Sequence, residues 1–102
     1  MSLTQKATII SPNDNVATAL ADLKGGETLK LHFGNKDLKI KLVSPIPFGH
    51  KFSLTNIKAG FAVVKYGETI GIATADIHLG GHVHTHNVVS ARGRGDLAGE
   101  RQ

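Results

Sequence analysis

Leu29-Lys-Leu-His-Phe-Gly-Asn-Lys-Asp-Leu-Lys-Ile-Lys-Leu42 reads as two strands joined by a turn. Leu29, Leu31 and Phe33 alternate with Lys30 and His32. After Gly34-Asn-Lys-Asp37, Leu38, Ile40 and Leu42 alternate with Lys39 and Lys41. Successive side chains of a strand point to opposite faces, so the pattern predicts a hairpin with one buried and one basic face. The Lys30/Lys39/Lys41 face reads as solvated surface before it reads as an anion site.

Outward from this hairpin the chain repeats a short phrase. Asp22-Leu-Lys-Gly-Gly26-Glu-Thr-Leu29 aligns with Asn56-Ile-Lys-Ala-Gly60-Phe-Ala-Val63 and with Asp76-Ile-His-Leu-Gly80-Gly-His-Val83. Each copy reads as a capped turn feeding a strand. The Asx side chain is expected to bond the backbone just ahead of it, the aliphatic residue to plug the core, and the glycine to take a positive φ. Further short strands are expected near Ala7–Ile10, Lys51–Leu54, Phe61–Val64, Thr69–Ala73 and Val83–Val89. Val16, Ala19, Leu20 and Leu23 recur at helical spacing behind Asn13-Asp-Asn15, which predicts one short helix over 16–20. The fold class is therefore all-β, with at most one or two short helices. Residues 1–90 form the domain. Residues 91–102, rich in glycine and charge without hydrophobic periodicity, read as a flexible tail or linker stump.

A chain of 102 residues supports one modest core. It has no cysteine, which excludes disulfides and thiolate-held metals and fits a reducing, cytoplasmic compartment. The start lacks a signal-peptide stretch and no run reaches membrane-spanning length, so no membrane is expected. Twelve basic against eight acidic residues leave a net charge of +4. Nucleic acid is a poor partner, because basic and aromatic residues are not interleaved as in a stacking platform.

The densest chemistry lies in His82-Val-His-Thr-His86, which holds three of the six histidines. On a strand, His82, His84 and His86 share one face, with neighbouring Cα atoms roughly 6.5 Å apart and the outer pair roughly 13 Å apart. With metal–nitrogen bonds of about 2 Å, a neighbouring pair can converge on one ion, but all three only if the strand bends sharply. A metal reading therefore asks for a further ligand, with His50, His78 and Asp76 as candidates. The competing reading is a solvated polar face on an edge strand. Pro45-Ile-Pro-Phe-Gly-His50-Lys51 is a stiff loop that ends in an imidazole and a cation, suited to a carboxylate, though His50 can equally serve a buried hydrogen bond. Tyr66 and Glu68 are acid/base groups by type, but Tyr66-Gly67-Glu68 reads first as a hairpin turn.

Taken in order, Ile46-Pro-Phe-Gly-His-Lys51, Asn56-Ile-Lys-Ala-Gly60, Val64-Lys-Tyr-Gly-Glu68, Ile70-Gly-Ile-Ala-Thr-Ala-Asp-Ile77 and Gly81-His-Val-His-Thr-His-Asn87 resemble the amino-terminal domain of altronate and galactarate dehydratases. That domain is of the SAF group, similar to type III antifreeze proteins and the carboxy-terminal domain of sialic acid synthases. The resemblance spans roughly Ala7 to Ser90 and implies a β-clip fold. In the family the domain is fused to a large catalytic domain or forms a separate small subunit, as in the related sulfolactate sulfo-lyase.

The resemblance implies a hydro-lyase component acting on a sugar acid with a large catalytic dehydratase subunit as partner, and not active alone. A base removes the proton α to the carboxylate, and the hydroxyl on the next carbon leaves. A divalent metal, Fe2+ or Mn2+ by resemblance, would stabilise the enolate-like intermediate. The residues expected to matter are His84, His86 and His50 for catalysis, Lys51 and His82 for substrate, and His82, His84 and His86 for metal. Three alternatives stay open: a carboxylate- or sugar-binding module without chemistry, an accessory that only stabilises its partner, and the small subunit of a sulfolactate sulfo-lyase.

Overall fold

The computed structural model describes residues 6–33 and 36–90, and all regular structure among them is β. The strands are β1 (Ala7–Thr8), β2 (Val16–Ala19), β3 (Thr28–Phe33), β4 (Lys36–Lys41), β5 (Lys51–Ser53), β6 (Ala62–Lys65), β7 (Glu68–Ala73), β8 (His82–Val83) and β9 (Val88–Ser90). They form a sheet of order β1-β2-β5-β8, a separate hairpin β3-β4, and a sheet of order β6-β7-β9, every pairing antiparallel. The expected tail, 91–102, lies outside the described residues.

The hairpin follows the alternation. Leu29 pairs with Ile40 and Leu31 with Leu38 on the inner face, while Lys30 lies opposite Lys39 on the exposed face. Leu29, Leu31, Ile40 and Leu42 are buried in a core shared with Ala17, Ala19, Leu23, Ile46 and Phe52. A second core gathers Val16, Ile57, Val63, Ala73, Ile77 and Val83. The ladder continues to Phe33 opposite Lys36, farther than the expected turn at 34–37 allows.

The expected helix over 16–20 is a strand. β2 lies between β1 and β5, with Val16 opposite Ser53 and Thr18 opposite Lys51. Its two faces serve different cores, Val16 the second and Ala17 and Ala19 the first. A strand buried on both faces loses the period-two signal, and the apolar run then mimics a helical stripe. Leu20, which the helix would have buried, is 47% exposed.

The repeated phrase builds paired turns. Leu23 and Ile46 exchange backbone hydrogen bonds of 2.8 and 3.0 Å, and Ile57 and Ile77 exchange bonds of 2.8 and 2.7 Å. Each turn ends in a glycine with φ of 82–90°, at Gly26, Gly49, Gly60 and Gly80. Pro45–Gly49 is thus a fourth copy that the reading missed, because Pro45 stands where the others carry Asx. The caps also work differently from expectation, since each reaches across to the paired turn. Asp22 Oδ1 accepts from Phe48 N at 2.8 Å, Asn56 Oδ1 from Leu79 N at 2.8 Å, and Asp76 Oδ1 from Ala59 N at 2.9 Å. Gly80 is required on a second count: a Cβ there would lie 2.1 Å from the Lys41 carbonyl oxygen.

Candidate functional site

β5 and β8 deliver the imidazoles. Phe52 lies opposite His82 and Lys51 opposite Val83, so the register places His50 opposite His84 one step beyond the last ladder pair. Residues directly opposite in an antiparallel pair share a face with adjacent Cβ atoms. The His50 and His84 rings accordingly stack, with centroids 4.0 Å apart and planes 14° from parallel. His82 is the diagonal neighbour, and its Nε2 lies 2.9 Å from His50 Nδ1, one nitrogen donating and the other accepting. The Pro47–Gly49 turn holds His50 from behind: His50 N donates to Pro47 O, and His50 O accepts from Ala19 N.

The expected continuous strand over 83–89 is interrupted. β8 ends at Val83, and the chain turns through 84–87 before β9. Asn87 pins this turn, its Oδ1 accepting from His84 N at 3.0 Å and its Nδ2 donating to His82 O at 2.8 Å. The bend removes the strict alternation of the three histidines. The His86 ring stays near His82, centroids 5.1 Å apart and tilted by 40°, but His86 is exposed on the turn. Among the described residues, the group able to share one ion is His50, His82 and His84, with one ring nitrogen from each within 4.8 Å of the others. His50 thus takes the place expected for His86. The other candidates lie elsewhere: Asp76 caps the 59–60 turn, and His78 is exposed in its own turn. Asn87 escaped the reading, although an Asx residue directly after a histidine run is a turn signal.

At His82 and His84 the surroundings favour neutral imidazole. Partial burial, then the neighbouring charges of His86, His50 and His84, push the His82 pKa down from its ordinary 6.5. His84 is lowered likewise, by lost hydration first and then by His50, Lys51 and His86. Neutral imidazole is the form that ligates a metal or accepts a proton.

Lys51 is placed differently from its sequence neighbour. Adjacent strand residues point to opposite faces, so Lys51 leaves β5 on the reverse face from His50, beside Thr18 and Val83. It is half-buried, and burial, then the Lys65 ammonium, lower its pKa while Tyr66 acts in the opposite sense. Tyr66 and Gly67 form a two-residue hairpin loop with φ of 60° and 72°. Glu68 opens β7 from an exposed position.

Fold and cluster together define a small all-β module presenting imidazoles at one edge. The chain belongs to the altronate/galactarate dehydratase SAF domain family, whose model it matches over residues 5–91. It is 47% identical over 74 residues to altronate dehydratase of Escherichia coli (strain K12), covering 72% of this chain and 14% of that protein. The altronate dehydratase of Bacillus subtilis (strain 168) is 42% identical over 78 residues, covering 76% of this chain and 15% of that protein. The (2R)-sulfolactate sulfo-lyase subunit alpha of Paracoccus pantotrophus is 47% identical over 58 residues, covering 57% of this chain and 87% of that subunit. The matched region is therefore a minor part of the altronate dehydratases and nearly all of a sulfo-lyase subunit. No helix among the described residues is long and apolar enough to cross a membrane.

Proposed function

We propose that this chain is the SAF-type component of a lyase that eliminates water from a sugar acid or sulfite from a sulfonated hydroxy acid. It acts beside a larger catalytic polypeptide and contributes His50, His82 and His84 to the substrate site. The observation that carries this reading is the convergence of three imidazoles from two separate segments at one sheet edge, with the pKa of His82 and His84 lowered. A cysteine-free chain acting on soluble metabolites suits the cytoplasm.

The donor set fits a divalent metal. Three nitrogen donors lie within 4.8 Å of one another, and imidazole suits iron and manganese alongside oxygen ligands. The His82 and His84 rings are within 8° of parallel, so sharing an ion requires one of them to rotate, which their partly exposed positions permit. Fe2+ or Mn2+ held by His50, His82 and His84 would supply Lewis-acid polarisation of the substrate carboxylate. The chain's own contribution is to hold a neutral imidazole that takes or gives a proton. The His50–His82 hydrogen bond orients one ring with the other. His86 stands on the flank, exposed, with its ring beside that of His82.

Affinity capture of the chain from its source cells, with lyase assays on altronate, galactarate and sulfolactate, tests this reading. A larger partner and partner-dependent elimination are expected. A chain that recovers no partner and supports no elimination would instead be a binding module.

A further inference from the structure

The sheet β6-β7-β9 turns one face to the second core and keeps apolar residues on the other as well. Val63 and Ala73 belong to that core and Val88 packs against it. Ala62, Ile72 and Val89 lie opposite one another across the three strands and therefore share the outer face. Ala62 and Ile72 are half-buried, and Val89 is 37% exposed. Beside this row lies a cleft of about 240 Å³ lined by Ala59, Gly60, Ile72, Ala73, Thr74 and Val89. A solvated face looks different in the same chain, since the outer face of β3-β4 carries Lys30, Lys39 and Lys41, all exposed.

The edge of the sheet next to this cleft is open at Val88. Ala73, opposite Val88, donates its N–H to Phe61 O and accepts from Gly60 N, both on the β6 side. Val88 therefore points its own N–H and C=O away from β7, and neither takes a hydrogen bond among the described residues. Two other edges are closed by an asparagine side chain that imitates a strand. On β6, Asn15 Oδ1 accepts from Val64 N at 2.8 Å and its Nδ2 donates to Ala62 O at 3.0 Å. On β8, Asn87 does the same for His84 N and His82 O. No such cap reaches Val88 among the described residues, and an unpaired strand edge is a template for an added strand.

We infer that the edge of β9 and the apolar cleft beside it form the surface on which the larger polypeptide docks, by adding an extended segment to the sheet. The segment's backbone pairs with Val88, and an aliphatic side chain from it fills the cleft between Ile72 and Val89. The inference rests on the lyase reading for the identity of the partner. In two altronate dehydratases the region matched by this chain is 14% and 15% of the protein, so a module of this kind is joined there to several times its own length. Ser90 ends β9 directly after Val89, so residues 91–102 start from the rim of this face. β9 also begins directly after Asn87, which bonds the backbone of His82 and His84. A polypeptide seated on β9 therefore stands next to the imidazoles it would complete.

The test compares the full chain alone with the full chain bound to the larger polypeptide purified with it, by amide hydrogen exchange and calorimetry. The Val88 amide should exchange about tenfold more slowly, or slower still, in the complex. Val89→Lys should weaken binding about tenfold, the scale of one lost aliphatic contact, and Val89→Ile should stay within about twofold. Lys39→Glu, on the basic hairpin face, should leave the affinity unchanged. Amide spectra establish that the variants are folded. Unchanged Val88 exchange, full affinity in Val89→Lys, or a loss in Lys39→Glu as large as in Val89→Lys would each overturn the inference. So would protection of Val88 in the isolated chain by self-association, or failure to bind any larger polypeptide. Elimination is assayed on the same complex. A complex that eliminates but ignores Val89 ends the docking inference alone, and one that depends on Val89 without eliminating ends the lyase reading alone.

Discussion

His82 and His84 carry folded pKa values depressed below the 6.5 of an unconstrained imidazole. The unfolded chain therefore binds protons more readily than the folded one at these positions. Their contribution to stability is present above about pH 6.5 and is lost as pH falls through the folded values. In chelator-treated protein, Tm should fall on acidification from pH 7.5 to 5, and His82→Asn with His84→Asn should flatten that slope. A slope unchanged by the double substitution would contradict the assignment. At Thr18 the hydroxyl oxygen is buried with no hydrogen-bond partner among the described residues. Thr18→Val removes an unsatisfied group at nearly constant volume, so denaturant unfolding should show stabilisation of about 1 kcal/mol. Destabilisation would mean that a water or an unseen partner serves the hydroxyl.

The paired turns and the bend after β8 are the elements on which the site depends. Gly80→Ala combines a positive φ with a Cβ 2.1 Å from the Lys41 carbonyl oxygen, and should cost about 3 kcal/mol or more, read as a drop in denaturation midpoint. Asp22→Ala frees the Phe48 amide, which the turn leaves near solvent, and should cost only about 1 kcal/mol. Asn87→Ala releases both bonds that pin the 84–87 turn. It should loosen the imidazole cluster with modest loss of stability, seen as at least tenfold weaker binding of a probe ion such as Co2+. The hairpin and three of the four turns were legible because their faces differ in polarity or their glycines recur. β2 was not, because burial on both faces erases alternation. The fourth turn was hidden by a proline in the Asx position. For the histidines, period-two spacing groups His82 with His84, but it hides the turn that leaves His86 outside the group and the approach of His50 to it. That approach depends on register between β5 and β8, and the spacing of histidines within one segment carries no information about it.

For the whole molecule, the imidazole cluster lies open at a sheet edge, where the proposed larger polypeptide would complete it. The chain spans only about one seventh of the altronate dehydratases it matches, which leaves most of their machinery to other residues. The most direct measurement is turnover of the reconstituted lyase with His50→Ala, His82→Ala and His84→Ala in turn, using His78→Ala as the distant control. Each cluster variant, confirmed folded and partner-bound, should lose about a hundredfold or more in kcat, while His78→Ala stays near the unsubstituted enzyme. Turnover at the unsubstituted level in all three cluster variants would contradict the account.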